Sequence, residues 1–212
     1  MSRPTERTGA VKLPGKLDSS LGEFWVENPW EIVTAGHNLS AFERNRVYLN
    51  AGGGSFVEVS HLTGADSDGD GRGVVPADFR GNGQLDLLVR QAGGGALTLY
   101  ENRLPAKHYL QVTLNGRTGN RRGIGARLTA IVNGKPIVRE LYPANTFASQ
   151  APALVHFGLG DHAKIEKLTI RWPSGQEQVL TDVAADRHVE ITEGLDGPAA
   201  ISTIVPGQQR LP

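Results

Sequence analysis

Along much of the chain, apolar and polar residues alternate with a period of two. Val47 and Leu49 alternate with Arg46 and Tyr48, and Val57 and Val59 flank Glu58. Leu110, Val112 and Leu114 alternate with Tyr109, Gln111 and Thr113, and Leu168, Ile170 and Trp172 with Lys167, Thr169 and Arg171. A strand sends successive side chains to opposite faces, so each run predicts a half-buried strand. Asn133-Gly134 sits between two such runs and predicts a two-residue type I′ hairpin, because both turn positions need positive φ. Helical periodicity is scarce, and Asp161 to Glu166 is read as a single turn. Roughly a dozen short strands separated by turn residues predict an all-β chain, at spacings typical of a sandwich, barrel or propeller fragment.

The 27 glycines and 12 prolines fall mostly between these runs, and composition divides the chain into four zones. Residues 1–44 form an arm with little periodicity, in which Phe24, Trp25, Trp30 and Ile32 are apolar anchors. Residues 45–104 contain strands separated by glycine-rich and acidic loops. Residues 105–193 form a denser β-unit, and 194–212 an irregular tail with Gly197, Pro198, Pro206, Gly207 and Pro212.

Charge removes one class of partner. Lys plus Arg total 22 and Asp plus Glu total 22, a formal net charge of zero, whereas nucleic-acid binders need a basic excess or face to displace counterions. The densest basic cluster, Arg117 with Arg121 and Arg122, lies in a Gly/Asn-rich turn and reads as a solvated loop. Cysteine is absent, which removes disulfides, thiolate metal sites and cysteine nucleophiles. No apolar run approaches the roughly 18 residues that span a bilayer. Residues 1–20 are polar and lack the apolar stretch of a signal peptide.

Two blocks of motifs carry a resemblance. "NRVYLNAGGGSFVEVS" followed by "DGRGVVPADFRGNGQLDLLV" resembles an FG-GAP/VCBS-type repeat. "HYLQVTLNG", "NRRGIGARLTA", "VHFGLGD" and "LTIRWPSGQEQVL" resemble the ASPIC/UnbV domain of cartilage-acidic-protein-like families. The resemblance implies a partial β-propeller-like unit followed by an antiparallel β-sandwich or barrel-like domain, flanked by irregular arms. It implies an extracytoplasmic protein, periplasmic or secreted, that works by interaction and not by catalysis. Relatives carry several repeats, while this chain shows one clear copy and at most a partial second. A propeller closes with about four to eight blades. One or two blades leave open strand edges, which the arms or another protein must cover.

The calcium logic of such repeats is a nine-residue loop with oxygen ligands at alternate positions. Asp78, Asn82 and Asp86 fit that pattern, and the Gln84 carbonyl sits at a suitable position. Arg80 does not fit. It brings a positive charge to a ligand position, so its guanidinium either swings out or replaces the cation by pairing with Asp78 and Asp86. A β-turn held by Asx hydrogen bonds is therefore the preferred reading, and calcium remains the one cofactor the pattern suggests. A second stretch, Asp66, Asp68, Asp70 and Gly71, copies half an EF-hand loop, but its twelfth position is Ala77 and not Glu. It reads as an acidic loop.

No catalytic set is visible. The sequence has no G-x-S-x-G elbow, and its six histidines form no H-x-x-x-H or H-E-x-x-H spacing. Ser60 and His61 are adjacent, and neighbours on a strand point to opposite faces. His156, in the predicted strand before "FGLG", reads as packed and hydrogen-bonded. The expected function is a non-catalytic interaction or scaffold subunit that docks on or stabilises a larger assembly through its arms, 1–44 and 194–212, and its open β-edges, with Phe24, Trp25 and Trp30 as anchors on a protein partner, which a membrane protein would suit. The alternative is a calcium- or glycan-binding extracellular adhesion module.

Overall fold

The structure is a computed structural model and describes residues 15–21, 44–69, 71–91, 96–144, 149–195 and 197–204. Among them are thirteen strands, one short helix and two 3-10 turns, so the chain is all-β. Cα packing separates two units, residues 1–71 with 91–96 and residues 72–90 with 97–212.

In the first unit, β1 (Tyr48–Gly52) and β2 (Ser55–Glu58) form an antiparallel hairpin. A single-turn helix, α1 (Ser60–Thr63), follows and ends where Gly64 adopts φ 67°. Ser60 is buried, and its Oγ accepts the Val47 N–H at 2.8 Å. Arg44 pairs with Asp66 at 2.9 Å. The expected half-burial fails on the hairpin: Leu49 and Val57 are each 52% exposed, and only Val47 and Val59 just outside it are half-buried. Two strands make one layer, and alternation buries a face only when a second layer covers it.

The second unit begins with a three-stranded sheet in the order β3 (Gly71–Ala77), β4 (Asp86–Gln91), β5 (Thr98–Tyr100). The remaining strands are β6 (His108–Asn115), β7 (Arg127–Val132), β8 (Lys135–Glu140), β9 (Val155–Gly160), β10 (Lys164–Arg171), β11 (Glu177–Ala184), β12 (Arg187–Thr192) and β13 (Ile201–Ile204). They form two four-stranded sheets, β11-β10-β7-β8 and β13-β12-β6-β9, whose inner faces share one hydrophobic cluster. Leu110, Val112 and Leu114 enter it from β6, Leu168 and Ile170 from β10, and Phe157 from β9. Trp172, just beyond β10, is 2% exposed. Each large apolar side chain so buried stabilises by about 1.5–3 kcal/mol, so this cluster, and not the exposed hairpin, holds the fold.

Local chemistry sets the registers. Asn133 and Gly134 adopt φ 49° and 68°, and Val132 pairs with Lys135 across the two-residue turn between β7 and β8, as the dipeptide predicts. In β11, Asp182 at φ 53° rotates the strand, so that Leu180 and Val183 both face the core.

Three features depart from the sequence reading. The sandwich is not wholly antiparallel: β6 and β12 pair in parallel, from Leu110↔Arg187 to Asn115↔Thr192. Asp161 to Glu166 forms no helical turn, since Gly160 at φ 62° redirects the chain and β10 starts at Lys164. Part of the supposed irregular tail is built in. Residues 197–200 form a 3-10 turn with Ala200 buried, and β13 extends the sheet beside β12.

Candidate functional site

The loop between β3 and β4 is organised by its own side chains. Asp78 sits just after β3, and one carboxylate oxygen accepts the Asn82 N–H at 3.0 Å. The other accepts the Gly83 N–H at 2.7 Å and the Gln111 Nε2–H at 3.0 Å. Asn82 Oδ1 accepts the Gln84 N–H at 3.1 Å, the Asx arrangement that short polar side chains offer in turns.

Asp86 opens β4 and is fully buried. Arg80 grips it in a fork, Nη2 to Oδ1 at 2.9 Å and Nε to Oδ2 at 3.3 Å, while Nη2 also donates to the Asn102 carbonyl at 2.7 Å. Burial alone would raise the Asp86 pKa. The Asn102 N–H and the Arg80 guanidinium outweigh it and hold the carboxyl below its ordinary range. Asp86 in turn raises Arg80.

Of the three candidate metal ligands, Asp78 and Asn82 therefore share one hydrogen-bonded turn, and Asp86 faces a guanidinium. These residues do not fit a calcium ion, which wants six to eight oxygens. The oxygens of Asp78 and Asp86 already accept hydrogen bonds, and a cationic side chain supplies the charge. Arg80 pairs with Asp86 alone and makes no direct bond to Asp78 among the described residues. In the second acidic stretch Asp66 is engaged by Arg44, and Asp70 lies outside the described residues.

The same loop docks on the outer face of the β13-β12-β6-β9 sheet. Besides the bond from Gln111 to Asp78, His156 Nε2 donates to the Gly83 carbonyl at 2.8 Å. The Tyr109 ring stacks on His156, with centroids 6.1 Å apart and planes at 2°. Gly83, at φ 83°, is required here, because a Cβ would lie 2.0 Å from the Tyr109 ring. In register, Gln111 pairs with His156 on one side and His188 on the other, and His188 Nε2 meets Thr113 Oγ1 at 2.8 Å. Burial lowers both histidines below 6.5, against the opposing charge of Asp78. Tyr109, Gln111 and His188 were missed by sequence reasoning as part of any site. Their only signal was the polar phase of β6 and β12, which reads as solvent-facing.

The "GIGARL" and "WPSG" motifs, with residues near them, serve packing and a buried polar network. Trp172 Nε1 donates to Gln178 Oε1 at 2.9 Å, and Gln178 Nε2 donates to the Thr192 and Leu195 carbonyls at 3.2 and 2.5 Å. Glu193, 2% exposed, accepts the Arg117 N–H at 2.6 Å, the Thr118 N–H at 2.9 Å and the Ser174 hydroxyl at 2.5 Å. The Ser174 hydroxyl and the Thr118 N–H hold its pKa down against burial. Gly123 allows the chain to cross close to Leu114 and Trp172, since a Cβ there would lie 2.8 Å from Leu114 Cβ.

Ser60 and His61 lie on α1 and not on a strand, with Ser60 buried and His61 exposed, so they still diverge. A cavity of about 280 Å³ is lined by Pro76, Leu85, Arg139, Tyr142, Pro152 and His156 among others. Phe24, Trp25 and Trp30 lie outside the described residues. Among the described residues, no helix is long and apolar enough to cross a membrane.

Comparison with known families finds two matches along the chain. Residues 31–89 match the FG-GAP-like repeat model, and residues 116–197 match the model described as ASPIC and UnbV. No curated protein matches the chain. Both modules are common in extracellular, adhesion-type proteins. The chain combines an FG-GAP-like repeat with an ASPIC/UnbV domain, in that order.

Proposed function

We propose that this chain is a non-catalytic interaction module that docks on a protein partner in a larger extracytoplasmic assembly. The observation that carries this reading is how the polar chemistry is used. Asp78, Asp86, Gln111, His156, Gln178 and Glu193 each hold one part of the fold to another. Among the described residues, no buried side-chain nitrogen or oxygen lacks a partner. A catalytic group needs a polar atom left over for substrate, and these groups are spent on architecture. What remains for function is surface.

Phe24, Trp25 and Trp30 are the proposed anchors, because aromatic side chains bury large areas at modest entropic cost and dominate interfaces. Limited proteolysis of the free protein, compared with protein in its native assembly, tests the reading. Cleavage within 1–44 in the free chain and protection in the assembly supports docking through this segment. Equal resistance in both removes it.

A further inference from the structure

We propose that the loop 116–123 is a preformed binding surface for an acidic segment of a protein partner, recognised through Arg117, Arg121 and Arg122. The inference rests on the reading of the chain as a protein-binding module and names the chemistry of one surface it uses.

The loop is built to keep its shape. Glu193 accepts the N–H groups of Arg117 and Thr118 from beneath. Asn120 closes the far side, its Oδ1 accepting the Ile124 N–H at 2.7 Å and its Nδ2 donating to the Ile124 carbonyl at 2.8 Å. Backbone bonds from Gly116 to Arg121 and from Gly123 to Asn120, both 2.9 Å, complete the frame. Gly123 fixes it against Leu114 and Trp172 in the core. Three arginines are thus held on a rigid base, and the entropy of ordering the backbone is already met by folding.

The guanidinium groups themselves are uncommitted. Arg117, Arg121 and Arg122 are all exposed, and among the described residues none has an ion pair or side-chain hydrogen bond. Many other basic side chains of this unit are paired: Arg80 with Asp86, Lys107 with Asp161, Arg127 with Glu140, Lys164 with Asp182. Three like charges within six residues, on a chain of zero net charge, form a local positive field without a general basic excess.

The loop favours an extended anion that spans several side chains over a compact one seated on its backbone. A compact phosphate or sulfate binds best where successive backbone N–H groups point at it. Here the N–H groups of Arg117 and Thr118 are already filled by the carboxylate of Glu193. The loop carries no aromatic residue on which a base or sugar ring could stack. What it offers is side-chain guanidinium forks, whose geometry matches carboxylates and phosphates alike, two oxygens at a time, at three points along the loop. An acidic protein segment presents several carboxylates along an extended chain.

The test uses the full chain and a fluorescein-labelled octaglutamate peptide, with binding read by anisotropy at low salt. Binding that weakens with added salt is expected, together with a loss of roughly tenfold in the triple variant R117Q/R121Q/R122Q. The variant K135Q/K167Q/R171Q removes the same charge from exposed positions elsewhere and should bind as the parent does. An equal loss in both variants would mean attraction to net charge, and overturns the proposal. So does unchanged binding in the loop variant, absence of binding, or tighter binding of a sulfated oligosaccharide of matched charge. Because this experiment does not involve residues 1–44, its failure leaves the proteolytic test of docking intact, and the reverse holds.

Discussion

The Arg80 guanidinium lies across both carboxylate oxygens of Asp86, at 2.9 and 3.3 Å, inside a loop whose spacing otherwise suits a calcium ion. Both arrangements neutralise a buried carboxylate, one with a permanent side chain and the other with an exchangeable ion. The choice has a measurable consequence. A ligand that binds only the native state raises its stability by mass action. Thermal unfolding of the parent should therefore coincide in calcium and in EDTA. Arg80→Asp removes the guanidinium and restores an oxygen at the third position of the loop. It should melt earlier than the parent in EDTA and recover in calcium. A calcium-dependent rise in the parent itself would contradict the Arg80 guanidinium as the counter-charge of Asp86.

Gly83 is the second point at which the loop depends on the sandwich. Gly83→Ala places a methyl group 2.0 Å from the Tyr109 ring at a backbone φ of 83°, so it incurs both a clash and left-handed strain. Chemical denaturation should show a loss of about 2–4 kcal/mol. In Gly83→Ala/Tyr109→Ala the clash is relieved and the strain remains, so the two losses should sum to less than additivity. Strict additivity would mean that the ring and the loop do not meet.

Trp172 tests the core and its polar lining together. Trp172→Ala should cost about 3–5 kcal/mol, as expected for removing a buried aromatic side chain. Trp172→Phe keeps most of the volume and leaves Gln178 Oε1 without its donor, so a smaller loss of about 1–3 kcal/mol is expected. A loss below about 1 kcal/mol for the alanine variant would place Trp172 outside the core and overturn the strand phase of β10.

How much of this was legible follows from what periodicity encodes. Leu110, Val112 and Leu114, and likewise Leu168 and Ile170, are read correctly because alternation reports directly which face is apolar. Asn133-Gly134 is legible because the turn demands positive φ at both positions. The same alternation misleads at Leu49 and Val57, because period shows that a strand has an apolar face and not that another layer covers it. It is silent on Tyr109, Gln111 and His188 for the complementary reason. A polar face reads the same whether water or other protein groups satisfy it. Glu193 and the Arg117–Thr118 backbone are 75 or more residues apart, and the parallel pairing of β6 with β12 that brings them together has no local signal. Arg80 was flagged because it breaks a ligand pattern, although only its pairing with Asp86, and not with Asp78, is realised.

The last prediction concerns pH. Burial lowers the pKa of His156 and of His188 below the ordinary 6.5. The unfolded chain therefore binds more protons than the native one as pH falls through that value, and stability falls with it. The groups around His156 act in both directions: Asp78 favours its protonation, while Arg139 opposes it and Tyr109 stacks on the ring. Asp86 and Glu193 act elsewhere on the scale. Their folded pKa values are depressed, so their contribution is fully present above the ordinary carboxylate range and is lost only as pH drops below it. Between about pH 5 and 7, His156 and His188 therefore contribute a loss of stability as pH falls. Denaturation midpoints measured across it should fall with pH in the parent. They should flatten in H156Q/H188Q, where glutamine keeps a donor for the Gly83 carbonyl and does not titrate. Parallel curves for parent and variant would show that neither ring is held neutral by its burial.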